Sequence, residues 1–173
     1  MPLSFSFIKE VYRLASIVRY NTQQRIKDES VATHSYYTSL FTKMLCDSLE
    51  VSNEVKLAAI ELALVHDVSE IVTNDITYDA KQAMPEVVPI LEGYEKRFTN
   101  EHFPDIVNLM FGDENVLIRT IVKAADILSV IQYCGNEVDL GNEGFRKFLN
   151  SAYERYYEQL RKLEGMGLHA KEQ

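Results

Sequence analysis

The stretch Leu62-Ala63-Leu64-Val65-His66-Asp67-Val68-Ser69-Glu70 sets two metal-capable side chains at the end of an aliphatic run. A His-Asp pair in such surroundings must be hydrogen-bonded, charged against a partner or bound to a metal, because an unpaired buried charge is strongly unfavourable. Two side chains do not complete a coordination shell, so the metal reading requires further His, Asp or Glu ligands from other segments. His34, at the beginning of an apolar helical segment, and Asp126, between Ala125 and Ile127, meet that requirement. Aspartate is a poor helix-interior residue and is seldom buried unpaired, so Asp126 needs a local explanation. Two imidazoles and two carboxylates with open positions would suit Zn, Mn, Fe, Co or Ni. Taken by themselves, the residues also allow four separate structural polar groups, with His34 a packed or capping histidine.

The segments that must carry these residues read as helices. Phe5, Ile8, Val11, Tyr12, Ala15 and Val18 recur at steps of three and four, which predicts a helix burying that face and delivering Arg19-Tyr20. Asn21 to Ser30 is polar and aperiodic, a loop whose basic side chains could meet an anion. A second helix is predicted from about Ala32 to Leu49 on the stripe Tyr37, Leu40, Phe41, Met44, Leu45 and Leu49. Ser52 reads as the N-cap of a third helix leading into His66-Asp67, followed by a loop soon after Glu70. Pro85 can open a surface helix that Phe103-Pro104 ends. Asp113 to Tyr133 is the strongest apolar helix, Gly135 to Gly144 reads as a loop, and a final helix carries Phe145, Phe148, Leu149, Tyr153, Tyr156 and Leu160. With no alternating strand, the chain reads as all-α.

Composition bounds what such a site could serve. The 173 residues suit one domain over 1–173, with a core over about 5–163 and a tail over 164–173 that frays. No apolar run approaches the roughly 20 residues of a membrane span, and the start lacks a secretion signal, so the cytoplasm is expected. Cys46 and Cys134, far apart and outside any CxxC pair, read as reduced core thiols. A net charge of −8 argues against binding nucleic acid polymers, yet a small anion could still be held by a cation and local Arg or Lys. Tyr153, Tyr156 and Tyr157 could cover a partner surface, which suggests a homo-oligomer.

The order His34, His66-Asp67 and Asp126 resembles the signature of the HD-domain metal-dependent phosphohydrolases. Within them the chain is most similar to the YfbR-type 5′-deoxynucleotidases and, in its size, to the related phage dATP triphosphohydrolases. The resembling segments are Arg19-Tyr20, Glu29 to Ser35, His66 to Asp75, Lys81 and Val122 to Asp126. The resemblance implies a helical HD bundle in which His34, His66, Asp67 and Asp126 ligate a divalent metal, with Mg added to the metals named above. It implies that Glu70 orients or deprotonates water and that Asp75 contacts the sugar or assists the leaving oxygen. Arg19 and Lys81 would hold phosphate oxygens, with Lys123 beside them and Tyr20 against the sugar or base. The family usually has tryptophan where this chain has Tyr20. The expected activity is release of a deoxynucleoside and phosphate from a deoxynucleoside 5′-monophosphate, in the cytoplasm, or in the host cytoplasm for a phage-encoded chain. The alternatives are a triphosphohydrolase releasing tripolyphosphate and a non-catalytic HD nucleotide sensor.

Overall fold

In the computed structural model, residues 4–169 are described. Helix α1 (Phe5–Tyr12) passes through a 3-10 turn (Arg13–Ser16) into an irregular segment and then α2 (Val31–Ser48). Next come α3 (Asn53–Val65), the short α4 (Glu70–Thr73) and α5 (Tyr78–Ala83), and α6 (Val88–His102). Finally α7 (Val107–Phe111), the long α8 (Val116–Asp139) and α9 (Arg146–Gly165) complete the order. The described residues hold no β-strand, only an isolated antiparallel bridge between Val18 and Ser30. Helix α8 lies between α2 and α9 and also meets α3. Its Ile121, Ala124 and Ala125 are fully buried with Cys46, Ala59 and Ala63 in the main core.

Small residues let these helices approach closely. The inward face of α2 is Val31, His34, Ser35, Thr38, Thr42 and Cys46, whereas Tyr37, Leu40 and Met44 of the expected stripe are exposed and only Leu45 and Leu49 are buried. The two serines are compatible with this core because they bond within their own helix: Ser35 Oγ donates to the Val31 carbonyl at 2.9 Å and Ser39 Oγ to the Ser35 carbonyl at 2.8 Å. A hydrophobicity stripe therefore misassigns the buried face.

The first helix is also shorter than its periodicity predicts, and it turns a different face inward. Phe5 and Tyr12 are exposed, while Phe7 and Val11 pack against the buried Leu14 and Ile17. Both sets satisfy a three-and-four spacing. The helix stops because Ile17 and Val18 must be extended: Val31 N donates to the Ile17 carbonyl and Arg19 N to the Glu29 carbonyl, both at 2.9 Å. These bonds close the base of the 19–30 loop and hold Arg19 beside α2.

At the other end α8 continues through Gly135 to Asp139, where a loop is expected from sequence. A mid-helix glycine costs about 1 kcal/mol, which the burial of Tyr133, Cys134 and Glu137 offsets. Glu137 is the notable member, a carboxylate only 1% exposed. It accepts from Ile26 N and Lys27 N at 2.8 Å each and from Asn142 Nδ2 at 2.7 Å. Tyr133 Oη donates to the Lys27 carbonyl at 2.8 Å. The tip of the 19–30 loop is thus fixed to α8 by three hydrogen bonds that involve Glu137 or Tyr133.

Other expectations hold in outline. Ser52 caps α3 by accepting from Val55 N, Pro85 precedes α6, and Cys46 and Cys134 are free and buried. The helical turns α4 and α5 arise within the predicted loop after Glu70. Past Gly165, where fraying is expected, Leu168 packs on the main core and its N–H bonds to the Leu163 carbonyl; residues 170–173 lie outside the described residues.

Burial alone would raise Glu137, but the backbone N–H groups and Asn142 hold it below the usual glutamate range. Its stabilisation is therefore complete above about pH 4.5, the ordinary value, and is lost as the pH falls through its depressed folded value. Glu137→Gln is expected to cost about 2–4 kcal/mol at pH 7 by leaving buried donors poorly paired. Urea unfolding at pH 7 and at acid pH measures both effects; the gap between wild type and variant should shrink on acidification.

Candidate metal and phosphate site

Three segments converge beneath the 19–30 loop. His34 lies in the first turns of α2 and is fully buried; His66 and Asp67 occupy the turn that ends α3; Asp126 is midway along α8. One ligand atom from each of His34, His66 and Asp67 falls within a cluster whose members are all within 4.8 Å of one another. His66 Nε2 is 3.1 Å from Asp67 Oδ2, and His34 Nε2 is 3.6 Å from the same oxygen. Asp126 joins through Oδ1, 3.1 Å from His34 Nε2, and its other oxygen accepts from Lys123 Nζ at 2.7 Å. These partners supply the local explanation that a mid-helix aspartate required.

The donor set fits a cation. His66 Nδ1 is 2.8 Å from the Ala63 carbonyl, which fixes the ring proton on Nδ1 and leaves Nε2 as a free lone pair. That Nε2 is buried and makes no well-formed hydrogen bond although Asp67 Oδ2 lies 3.1 Å away, so two lone pairs face each other unless a proton or a cation lies between them. His34 Nδ1 has two neighbours, Arg19 Nη1 at 2.6 Å and Ser129 Oγ at 3.1 Å. The guanidinium can only donate, so this arrangement makes Nδ1 an acceptor; with Nε2 as ligand the Nδ1 proton would turn to Ser129, and Arg19 would draw back to its ion pair with Glu29 Oε2, now at 3.0 Å.

The electrostatics are those of a crowded acidic site. Burial opposes the charged form of Asp67, yet the flanking His66 and His34 hold it well below the usual carboxylate range. Asp126 is likewise held low, against burial, by Lys123 and His34. Burial and then Arg19 lower His34, whereas Asp67 raises His66 in spite of burial. Glu70 is pushed up to about 9 by burial and by the charges of Asp67 and Asp75, and its Oε2 is buried without a partner. Burial also raises Asp75, with Arg19 acting in the opposite direction.

A cavity of about 190 Å3 opens over this cluster, and Arg19, Tyr20, Asp67, Glu70, Asp75, Lys81, Lys123 and Asp126 all line it. Every residue that the resemblance assigns to the site therefore lies in the ligand cluster or on this wall. Asp75 Oδ2 accepts from Tyr20 N at 3.3 Å, joining the segment after α4 to the Arg19-Tyr20 corner, where Tyr20 has a left-handed φ of 53°. Tyr20 stands where the family usually has tryptophan, and its hydroxyl is spent on the protein interior. That hydroxyl is turned inward, accepting from Cys134 Sγ at 3.6 Å, and the ring stacks on Tyr133 with centroids 5.3 Å apart.

Two groups were not anticipated. Arg155 of α9 lines the cavity with its guanidinium carbon 5.3 Å from the Tyr78 ring centre, and Glu95 of α6 lies within the fields of Lys81, Asp67 and His66. Both sit on ordinary amphipathic helices without a motif, so only the packing brings them in. A second cavity, of about 210 Å3, shares Tyr20, Thr77, Tyr78, Val130 and Arg155 with the first and extends toward Phe148.

The 5′-deoxynucleotidase YfbR-like family matches residues 6–169, nearly the whole chain. The protein belongs to the YfbR-like family. This YfbR-like chain is 26% identical over 152 residues to the 4′-phosphooxetanocin A phosphatase of Priestia megaterium, covering 81% of this chain and 77% of that one. It is 26% identical to the 5′-deoxynucleotidase YfbR of Salmonella typhi over 152 residues, covering 81% and 76%. Its fold is that of the cyanophage S-2L HD phosphohydrolase DatZ, solved with dA and one catalytic Zn2+ ion (TM-score 0.72, 20% identity, 93% and 87% covered). An HD-domain phosphohydrolase from Listeria innocua gives a TM-score of 0.71 at 23% identity, with 88% and 79% covered. The YfbR-like protein is thus an HD-family hydrolase with a divalent-cation ligand cluster, and none of its described helices is long and apolar enough to cross a membrane.

Purified protein is expected to carry a divalent cation that Asp67→Ala loses. Elemental analysis should show the loss while the helical circular dichroism stays near wild type; full metal content in the variant would contradict the ligand assignment.

Proposed function

We propose that this YfbR-like protein hydrolyses deoxynucleoside 5′-monophosphates to a deoxynucleoside and orthophosphate, using His34, His66, Asp67 and Asp126 as metal ligands. The observation that carries this reading is the buried His66 Nε2, which makes no hydrogen bond, beside Asp67 on the wall of a cavity that also holds Glu70, Asp75 and Lys81. Two imidazoles with two carboxylates favour Zn, Mn, Co, Fe or Ni over Mg, which prefers an oxygen shell. The bound cation supplies an acidified water and polarises the phosphoryl oxygens.

The remaining work falls to the chain. Glu70, close to Asp67, would be returned from its raised state to the carboxylate by a dication that offsets the Asp67 charge, and it then takes or orients the proton of the attacking water as its oxygen bonds to phosphorus. The bond from phosphorus to the 5′-oxygen breaks, and Asp75, whose raised affinity for protons suits an acid, protonates that oxygen or holds the sugar. Lys81 and the part of the Arg19 fork not given to Glu29 meet the phosphate charge, with Lys123 at the edge. At contact distance these cations outweigh the distant, screened charges behind the net −8. The second cavity, walled by Tyr20, Tyr78 and Phe148, would receive sugar and base.

A triphosphohydrolase reading has one observation of its own. Arg155 stands close enough to Lys123 to act on it by like charge, and two such cations at the rim could hold further phosphates. The cytoplasm suits either substrate. A homo-oligomer is supported by exposed Tyr153 and Tyr157 and by the exposed α2 residues Tyr36, Tyr37, Leu40 and Met44.

Glu70→Gln should lower kcat about 10²- to 10⁴-fold with metal content retained; unchanged turnover would remove Glu70 from the chemistry. Chromatography of the products from deoxynucleoside mono- and triphosphates should show orthophosphate from the former, whereas tripolyphosphate would establish the second reading. Light scattering on the eluting protein measures the oligomer.

A further inference from the structure

Beyond the phosphate site, the second cavity has its own chemistry. One wall is a ridge of α9, Lys147, Ser151 and Arg155, spaced at four residues so that all three share a face. The cations rest on rings rather than on acids: Lys147 Nζ is 4.5 Å from the Phe148 ring centre and Arg155 is on Tyr78. The cavity has one acidic lining residue, Asp79, in the first turn of α5. That turn is already capped, since Thr77 Oγ1 accepts from Ala80 N, and Asp79 forms no ion pair among the described residues.

Resting on the nucleotide reading above, we infer that this cavity selects guanine, with Asp79 reading its N1–H and N2–H and a cation of the α9 ridge reading O6 and N7. Guanine is the one common base with two adjacent N–H donors on a single edge, matching the two oxygens of a carboxylate. On the corresponding edges of adenine and cytosine, one carboxylate oxygen would meet an amino N–H while the other faced a ring-nitrogen lone pair. Thymine would set carbonyl oxygens on both sides of its one N–H. Unpaired ammonium or guanidinium donors complement the adjacent O6 and N7 acceptors in the same way that Lys and Arg read guanine in nucleic acids. Tyr20 and Tyr78 provide the apolar surfaces for the ring.

The test uses the full chain loaded with Mn or Zn. Values of kcat/KM for dGMP, dAMP, dCMP and dTMP should favour dGMP by about tenfold or more, the scale that one good bidentate contact supplies. Asp79→Asn should reduce that preference to about threefold or less with metal content unchanged, and Lys147→Met should weaken it. Equal values for the four substrates, preference for another base, or an Asp79→Asn enzyme that keeps the dGMP preference would overturn the assignment and leave the phosphohydrolase reading standing. Calorimetric titration with deoxyguanosine, deoxyadenosine, deoxycytidine and thymidine reads the base site without chemistry. Selective deoxyguanosine binding in a protein that releases no phosphate would uphold the base assignment while refuting the monophosphate reading.

Discussion

A fully buried imidazole with charge on both sides is the constraint around which the rest of this structure is arranged. His34 has Arg19 and Ser129 at one ring nitrogen and Asp126 and Asp67 near the other. The neighbours come from three other parts of the chain, so the imidazole is tolerated in the interior only if α8, the turn after α3 and the Arg19 corner all reach it. The small inward residues of α2 allow α8 to come close enough to present Asp126 and Ser129. The extended pairing of residues 17–19 with 29–31 then returns Arg19 to the same point.

Polarity in the interior was more legible from sequence than hydrophobicity was. His66-Asp67 and Asp126 stood out because each interrupts an apolar run, and the folded chain gives each of them a neighbour that explains the interruption. The helices themselves were also readable, along with the Ser52 cap and the reduced thiols. The buried faces of α1 and α2 were not, because aromatic and aliphatic stripes were weighted above the small serines and threonines that α2 turns inward. The end of α8 was missed because Gly135 looks like a breaker until the contacts of Glu137 are known. Arg155 and Asp79 belong to helices distant in sequence, so nothing short of the tertiary packing links them.

The site divides by polarity. Nearest the candidate metal ligands the cavity is lined by carboxylates and the cations opposing them; past Tyr20 and Tyr78 it becomes aromatic, with unpaired cations and one acid at its edges. This gradient matches a molecule that is charged at one end and flat at the other. It also explains how an acidic chain can attract an anionic ligand, since the decisive charges are those within a few ångströms.

The 19–30 loop has a consequence that follows from how it is tied down. Its base is closed by backbone pairing and its tip by Glu137, so it has few conformations left to lose when a ligand arrives. A wall built in this way contributes its ordering cost at folding rather than at binding, and whatever Arg19 and Tyr20 gain from contact is retained as affinity. The core carboxylate of Glu137, which never meets the ligand, therefore helps set how tightly the ligand is held.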